Sequence, residues 1–183
     1  RSQTVSANRK LDTPILVTQK TISELAKEAS QSATQLDAAR IFERSVMRIV
    51  LNGYHTRLPE GKKAQRLGVS VLQSDMDQGM RAALDRGFGA AFPGRTIEYH
   101  SIFFALSVVI QEYAQNPPKY SIVDISSLAT STADVRHGAV LQHASCDVGW
   151  RTVAEGLSNI QKPTPAEALS KARMLADDAC SDA

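Results

Sequence analysis

The chain has 183 residues, with 21 basic and 19 acidic side chains and a formal charge of +2. That length fits one domain burying about two thirds of its unfolded surface, so neither a disulfide nor a metal is needed to hold it together. The near-balance of charge argues against a protein that binds a phosphate backbone across its whole surface, because such chains are more lopsided.

In chain order, residues 1–13 are polar, with basic side chains at Arg1, Arg9 and Lys10, and read as a flexible N-terminal arm before a single helical domain over 14–183. The sequence begins at Arg1 and not at Met, which points to an upstream segment removed or left out. Thr21 and Glu24 have capping-box spacing. Ile22, Leu25, Ala29, Ala33, Leu36, Ala39, Phe42, Val46 and Ile49 then recur every three or four residues, as on one face of a long helix with a weak point at 30–34. Asn52-Gly53 stops it. A loop follows, then a short basic helix from Lys62, interrupted at Gly68. Ser74 and Asp77 give a second capping box, opening a helix with Met76, Met80, Ala83, Leu84 and Phe88 on one side. Gly87, Gly89 and Pro93-Gly94 close it.

Residues 97–113 are apolar on nearly every side and read as a central helix wrapped by its neighbours. Their unbroken apolar stretch, 102–110, is too short for a bilayer span, which takes roughly 20 residues. In an enclosed helix, Phe104 is a core residue. Asn116-Pro117-Pro118 ends the helix. One short extended segment fits at 120–126. Ser131 and Asp134 form a third capping box for a helix through Val135, Ala139, Val140, His143, Cys146, Trp150, Val153 and Leu157, despite Gly138, Gly149 and Gly156. Thr164, Pro165 and Glu167 open a last helix reaching Ala179. The fold expected is therefore all-α: a single compact bundle of five or six helices around residues 97–113.

Three groups of residues invite chemistry. Arg40, Arg44 and Arg48 lie four apart, which on a helix is one ridge; with Lys62, Lys63 and Arg66 they make a weak nucleic-acid candidate. The segment 62–80 resembles a helix-turn-helix in outline, through Ala64 and the Gly68-Val69-Ser70 turn. Ser74 and Asp77, however, fall where that motif wants apolar contacts, and an ordinary capped helix fits better. His143 and Cys146, three apart, are a weak ligand or metal pair, as is the lone His100 in the central stretch. Cys146 and Cys180 permit one disulfide without requiring it. No phosphate loop, GxSxG elbow or HExxH is present.

No cofactor is implied. The leading functional expectation is a non-enzymatic interaction or assembly protein with a protein partner or a homo-oligomeric state: a scaffold, coat-like subunit or adaptor. A nucleic-acid-binding protein using the basic ridge is the first alternative, and a small-ligand or metal-binding helical domain the second. The sequence does not place the chain in a compartment.

Overall fold

A computed structural model of the chain describes residues 1–115, 117–161, 164, 166, 167, 170 and 174. Among these it contains seven strands in two antiparallel sheets and four α-helices, so the protein is mixed α/β and not an all-α helical bundle. Most of the helix expected over 164–179 lies outside the described residues, as does Cys180 and with it any pairing to Cys146. The chain forms two compact units, residues 1–122 with 134–143, and residues 123–133 with 144–183.

The first unit is built on a four-stranded sheet. Strands β1 (Ser2–Leu16), β2 (Ile41–Leu51), β3 (Tyr54–His55) and β4 (Lys63–Asp75) lie in the order β1-β4-β2-β3. The residues expected as an N-terminal arm thus lie within β1, a long edge strand whose register runs from Ser2 opposite Ser74 to Leu16 opposite Lys63. Its Thr4-Val5-Ser6 alternation is a two-residue period, in which Val5 turns inward and its neighbours turn out. The basic helix expected from Lys62 is instead β4, the centre of the sheet. Val69, Val71 and Leu72 supply the β-branched and apolar side chains that suit a strand paired on both edges.

Helix α1 (Gln19–Gln31) is the first part of the long helix read from the sequence. Thr18, not Thr21, caps it: its side chain accepts the Thr21 N–H at 3.3 Å. Ile22, Leu25 and Ala29 point onto the sheet and meet Val5, Leu67, Val69 and Val71, which form the main core. Beyond Ser32 the helical spacing of Phe42, Val46 and Ile49 is a coincidence. Those residues lie in β2, where a bulge between Val46 and Arg48 breaks the two-residue alternation that would have marked a strand.

Helix α2 (Gln78–Ala91) starts three residues later than the Ser74 cap expected from the sequence would place it: Ser74 is buried in β4, and Asp77 is the cap, accepting the Gly79 and Met80 N–H groups at 2.9 and 3.1 Å. Helix α3 (Ile102–Tyr113) is the apolar stretch expected at the centre of a bundle, and here the expectation is overturned. Only Phe103 and Ser107 of α3 are buried, while Ile102, Val108 and Val109 are each nearly half exposed. Among the described residues the core is organised by the sheet and α1, and no ring of helices wraps α3. Phe104 is half-buried and stacks on His100, ring centroids 4.7 Å apart. Replacing Phe104 by Ala should cost about 1 kcal/mol in a denaturant titration, not the 3–5 kcal/mol typical of an enclosed phenylalanine. A loss in that upper range would restore the enclosed helix.

Strands β5 (Lys119–Ile125), β6 (Thr130–Arg136) and β7 (Ala139–Cys146) form the second sheet, in that order. The extended segment expected at 120–126 coincides with β5; the single helix expected from Ser131 through Leu157 is instead β6 and β7, followed by a helix from Trp150. Gly138, taken as an interruption in a helix, is half of a tight turn: His137 and Gly138 both have positive φ, 48° and 80°. In the second unit, α4 (Trp150–Gln161) begins against the turn after β5. Trp150 and Arg151 donate their N–H groups to the carbonyls of Ser126 and Ser127 at 3.0 and 2.9 Å. Gly149 permits that approach, since a Cβ there would stand 2.5 Å from the Ser126 carbonyl oxygen.

Candidate functional site

The most unusual surface is α2. None of its residues is buried, yet its sequence is that of an amphipathic helix. Met80, Leu84 and Phe88 repeat every four residues and so form one ridge, which the Phe92 ring extends by stacking on Phe88 at 6.4 Å. Met80 is 59% exposed and Phe92 53%. Polar contacts hold the helix in place at its start and along its Arg81–Asp85 edge rather than along this ridge. Arg40 donates to the Met76 carbonyl at 3.3 Å and pairs with Asp77 at 3.4 Å. Tyr99 donates to Asp85 at 2.8 Å, with the Arg81 guanidinium over its ring. Burial first, and the Asp85 carboxylate second, raise the Tyr99 pKa, so its hydroxyl remains a donor.

The basic residues singled out in the sequence do not form a helical ridge. Arg40 closes a short 3-10 turn over Ala38–Arg40. Arg44 stands opposite Gln73, whose amide donates to Ser30 at the end of α1, so it lies on the α1 side of the sheet. Arg48 stands opposite Ser70, on the other side, because the bulge shifts the alternation by one. Lys63 opens β4. Arg66 lines a cleft of about 270 Å³ with Arg9 and Lys10. Lys62 lies in a different cleft, of about 460 Å³, lined also by His55, Arg57, Gln111, His137 and Gly138.

His100 is held by a buried carboxylate. Its Nδ1 lies 3.1 Å from Glu43 Oε1, and Glu43 also accepts from Ser74 Oγ at 2.8 Å and from the Ser101 N–H at 3.2 Å. His143 lies on β7, its ring edge-on to Phe103 at 6.0 Å, and burial lowers its pKa. Cys146 is exposed on the same strand. Three residues apart on a strand, His143 and Cys146 point to opposite sides, whereas on a helix they would have shared a face. Among the described residues no group of three or more His, Cys, Asp or Glu side chains is placed to hold a metal.

Sequence reasoning found α2 and its ridge but set it within a bundle. It missed the pairing of His55 with His137, ring centroids 6.1 Å apart. The available signal was two hairpin turns, Asn52-Gly53 and His137-Gly138, each with positive φ at both residues.

No protein family and no curated protein matches the sequence. Among solved structures, a chain of the PilM-PilN type IV pilus biogenesis complex matches with a TM-score of 0.56 at 14% identity. The two chains share a fold. The match covers 94% of this chain and 47% of the other, so this chain spans about half the length of the protein it resembles. Among the described residues, no helix is long and apolar enough to cross a membrane.

Proposed function

We propose that this chain is a non-enzymatic interaction and assembly module, and that the α2 ridge is where it takes a protein partner. The observation that carries this reading is a helix with no buried residue, whose ridge has Met80 and Phe88 exposed and Leu84 half-buried and is continued by exposed Phe92. An apolar ridge of this kind, flanked by Arg81, Asp85 and Arg86, is the pattern of a helix that docks its side chains into a partner's groove. The fold shared with a chain of a pilus biogenesis complex supports a place in an assembly.

The test is the double substitution Met80→Glu and Phe88→Glu. Both positions are solvent-exposed, so folding stability should change by no more than about 0.5 kcal/mol. With a photo-crosslinking residue at Leu84, the wild-type chain expressed in its native cells should yield discrete protein adducts, which mass spectrometry identifies. The double variant carrying the same crosslinker should lose them. If no adduct forms and the wild-type chain sediments as a monomer at high concentration, the reading fails. Adducts unaffected by the two glutamates would place the partner on another surface.

A further inference from the structure

We propose that the cleft lined by His55, Arg57, Lys62 and His137 binds a phosphate-bearing small molecule with at least two negative charges. The cleft lies within the first unit and none of its lining residues belongs to α2. It therefore adds a ligand to the reading above without depending on it.

Three elements supply the cations. His55 ends the short strand β3, directly after the Asn52-Gly53 turn, and is paired in register with Val50. Arg48, two residues earlier on β2, lies on the same side of the sheet. Its Nε is buried and without a hydrogen-bond partner. The loop after β3 contributes Arg57 and Lys62. The tight β6–β7 turn presents His137, whose N–H is anchored by the Pro118 carbonyl at 2.8 Å. Among the described residues, no carboxylate lines the cleft. Lys62 Nζ donates to the hydroxyl of Thr56 at 2.9 Å, a neutral acceptor, and one of the contacts of Arg57 is to the amide oxygen of Gln111 at 3.1 Å.

His55, Arg57, Lys62 and His137 are all exposed at the cleft, so water screens part of their mutual repulsion, and an entering anion would relieve the rest. The electrostatics at His55 carry that signature. Burial lowers its pKa most, followed by His137, Arg48 and Arg57, and every charged group acting on it is basic. The same field repels a metal cation, and two imidazoles alone are too few ligands to overcome it. Phosphate oxygens suit the donors present, because guanidinium, ammonium and imidazole N–H groups all form charge-assisted hydrogen bonds to them. A volume of about 460 Å³ exceeds a single phosphate and suits a diphosphate or a phosphorylated organic molecule.

Isothermal titration with pyrophosphate tests the proposal, with sulfate as a dianion that does not itself titrate near neutrality and chloride as the ionic-strength control. Lys62→Ala and His137→Asn should each weaken pyrophosphate binding about tenfold, the loss of one charged hydrogen bond. Asparagine is chosen because it tolerates the left-handed backbone at 137. The sign of the pH dependence follows from the suppressed pKa of His55. The free cleft holds His55 neutral, and a bound dianion favours its protonation, so binding takes up a proton. Sulfate should therefore bind about tenfold more tightly near pH 6 than near pH 8, and His55→Gln should reduce that dependence, leaving the part carried by His137. Unchanged affinity in all three folded variants, a flat pH profile, or no pyrophosphate binding in the millimolar range would each overturn the proposal. Should a variant fail to fold, the imidazole NMR signals of His55 and His137 in the wild-type chain give an independent reading: pyrophosphate should shift both, and stationary signals reject the site.

Discussion

Replacing Leu25 by Ala should lower the unfolding free energy by about 3 kcal/mol. Leu25 is fully buried, on the face of α1 that meets Val69 and Val71 of the central strand. Truncation removes the transfer energy of its side chain and leaves a cavity in a core of valines, which are short and stiff and collapse poorly into the gap. Helix propensity runs the other way by a few tenths of a kcal/mol at most, since alanine and leucine are both strong helix formers. A urea titration should show a lower midpoint with an unchanged slope. A loss under about 1 kcal/mol would mean that α1 does not seal the sheet as described.

Glu43→Ala should cost a similar amount, about 3 kcal/mol, by a different route. The Glu43 side chain is 1% exposed, on the side of the sheet away from α1. It is the shared acceptor for Ser74, Ser101 and His100, and Ser45 lies at 3.4 Å. Alanine leaves the Ser101 N–H and the Ser74 hydroxyl without their acceptor in a place water reaches poorly. An unmet buried donor costs about 1–3 kcal/mol. Glu43→Gln keeps one acceptor oxygen and should cost roughly half as much. The same change should free residues 98–101, which Glu43 ties to β2. Faster amide exchange at Ser101 in the alanine variant, with exchange at Leu25 slowed or unchanged relative to global stability, separates this tether from general loss of fold. Equal effects at both sites would reject it.

These two residues show how unevenly the sequence displayed the fold. Leu25 was legible because α1 is amphipathic: Ile22, Leu25 and Ala29 fall on one face, and the weak point noted at 30–34 contains the end of the helix at Gln31. Glu43 was not legible. On the helix expected there it is an outward charge beside Arg44; in β2 it turns to the side opposite the α1 core and is enclosed. The misreading of β2 has one local cause. Strand alternation was interrupted by the bulge before Arg48, and the apolar residues that remained, Phe42, Val46 and Ile49, fell on a helical spacing. The basic ridge went with it, since Arg44 and Arg48 share a helix face but are divided by the sheet.

The candidate surfaces divide in the same way. The α2 ridge depends on spacing within one helix, so Met80, Leu84 and Phe88 were visible in the sequence, although the cap was expected at Ser74 and not at Asp77. Its exposure was not, because whether an apolar ridge is covered depends on what the rest of the chain places over it. The histidine cleft is the opposite case. His55 and His137 are 82 positions apart and meet through the pairing of strands in two different sheets, which no local pattern encodes.

What the amino-acid sequence determined by itself is therefore local: the amphipathic faces of α1 and α2 and the chain reversal at Asn52-Gly53. Each depends on backbone angles and side-chain spacing within a few residues. Tertiary structure alone decided that β4 is central, that α3 is half exposed, and that basic groups from β3, the loop after it and the β6–β7 turn converge. The reason is that a strand has no hydrogen-bond partners within itself. Its stability comes from neighbours distant in sequence, so a run such as 66–72 becomes helix or strand according to whether β1 and β2 arrive beside it.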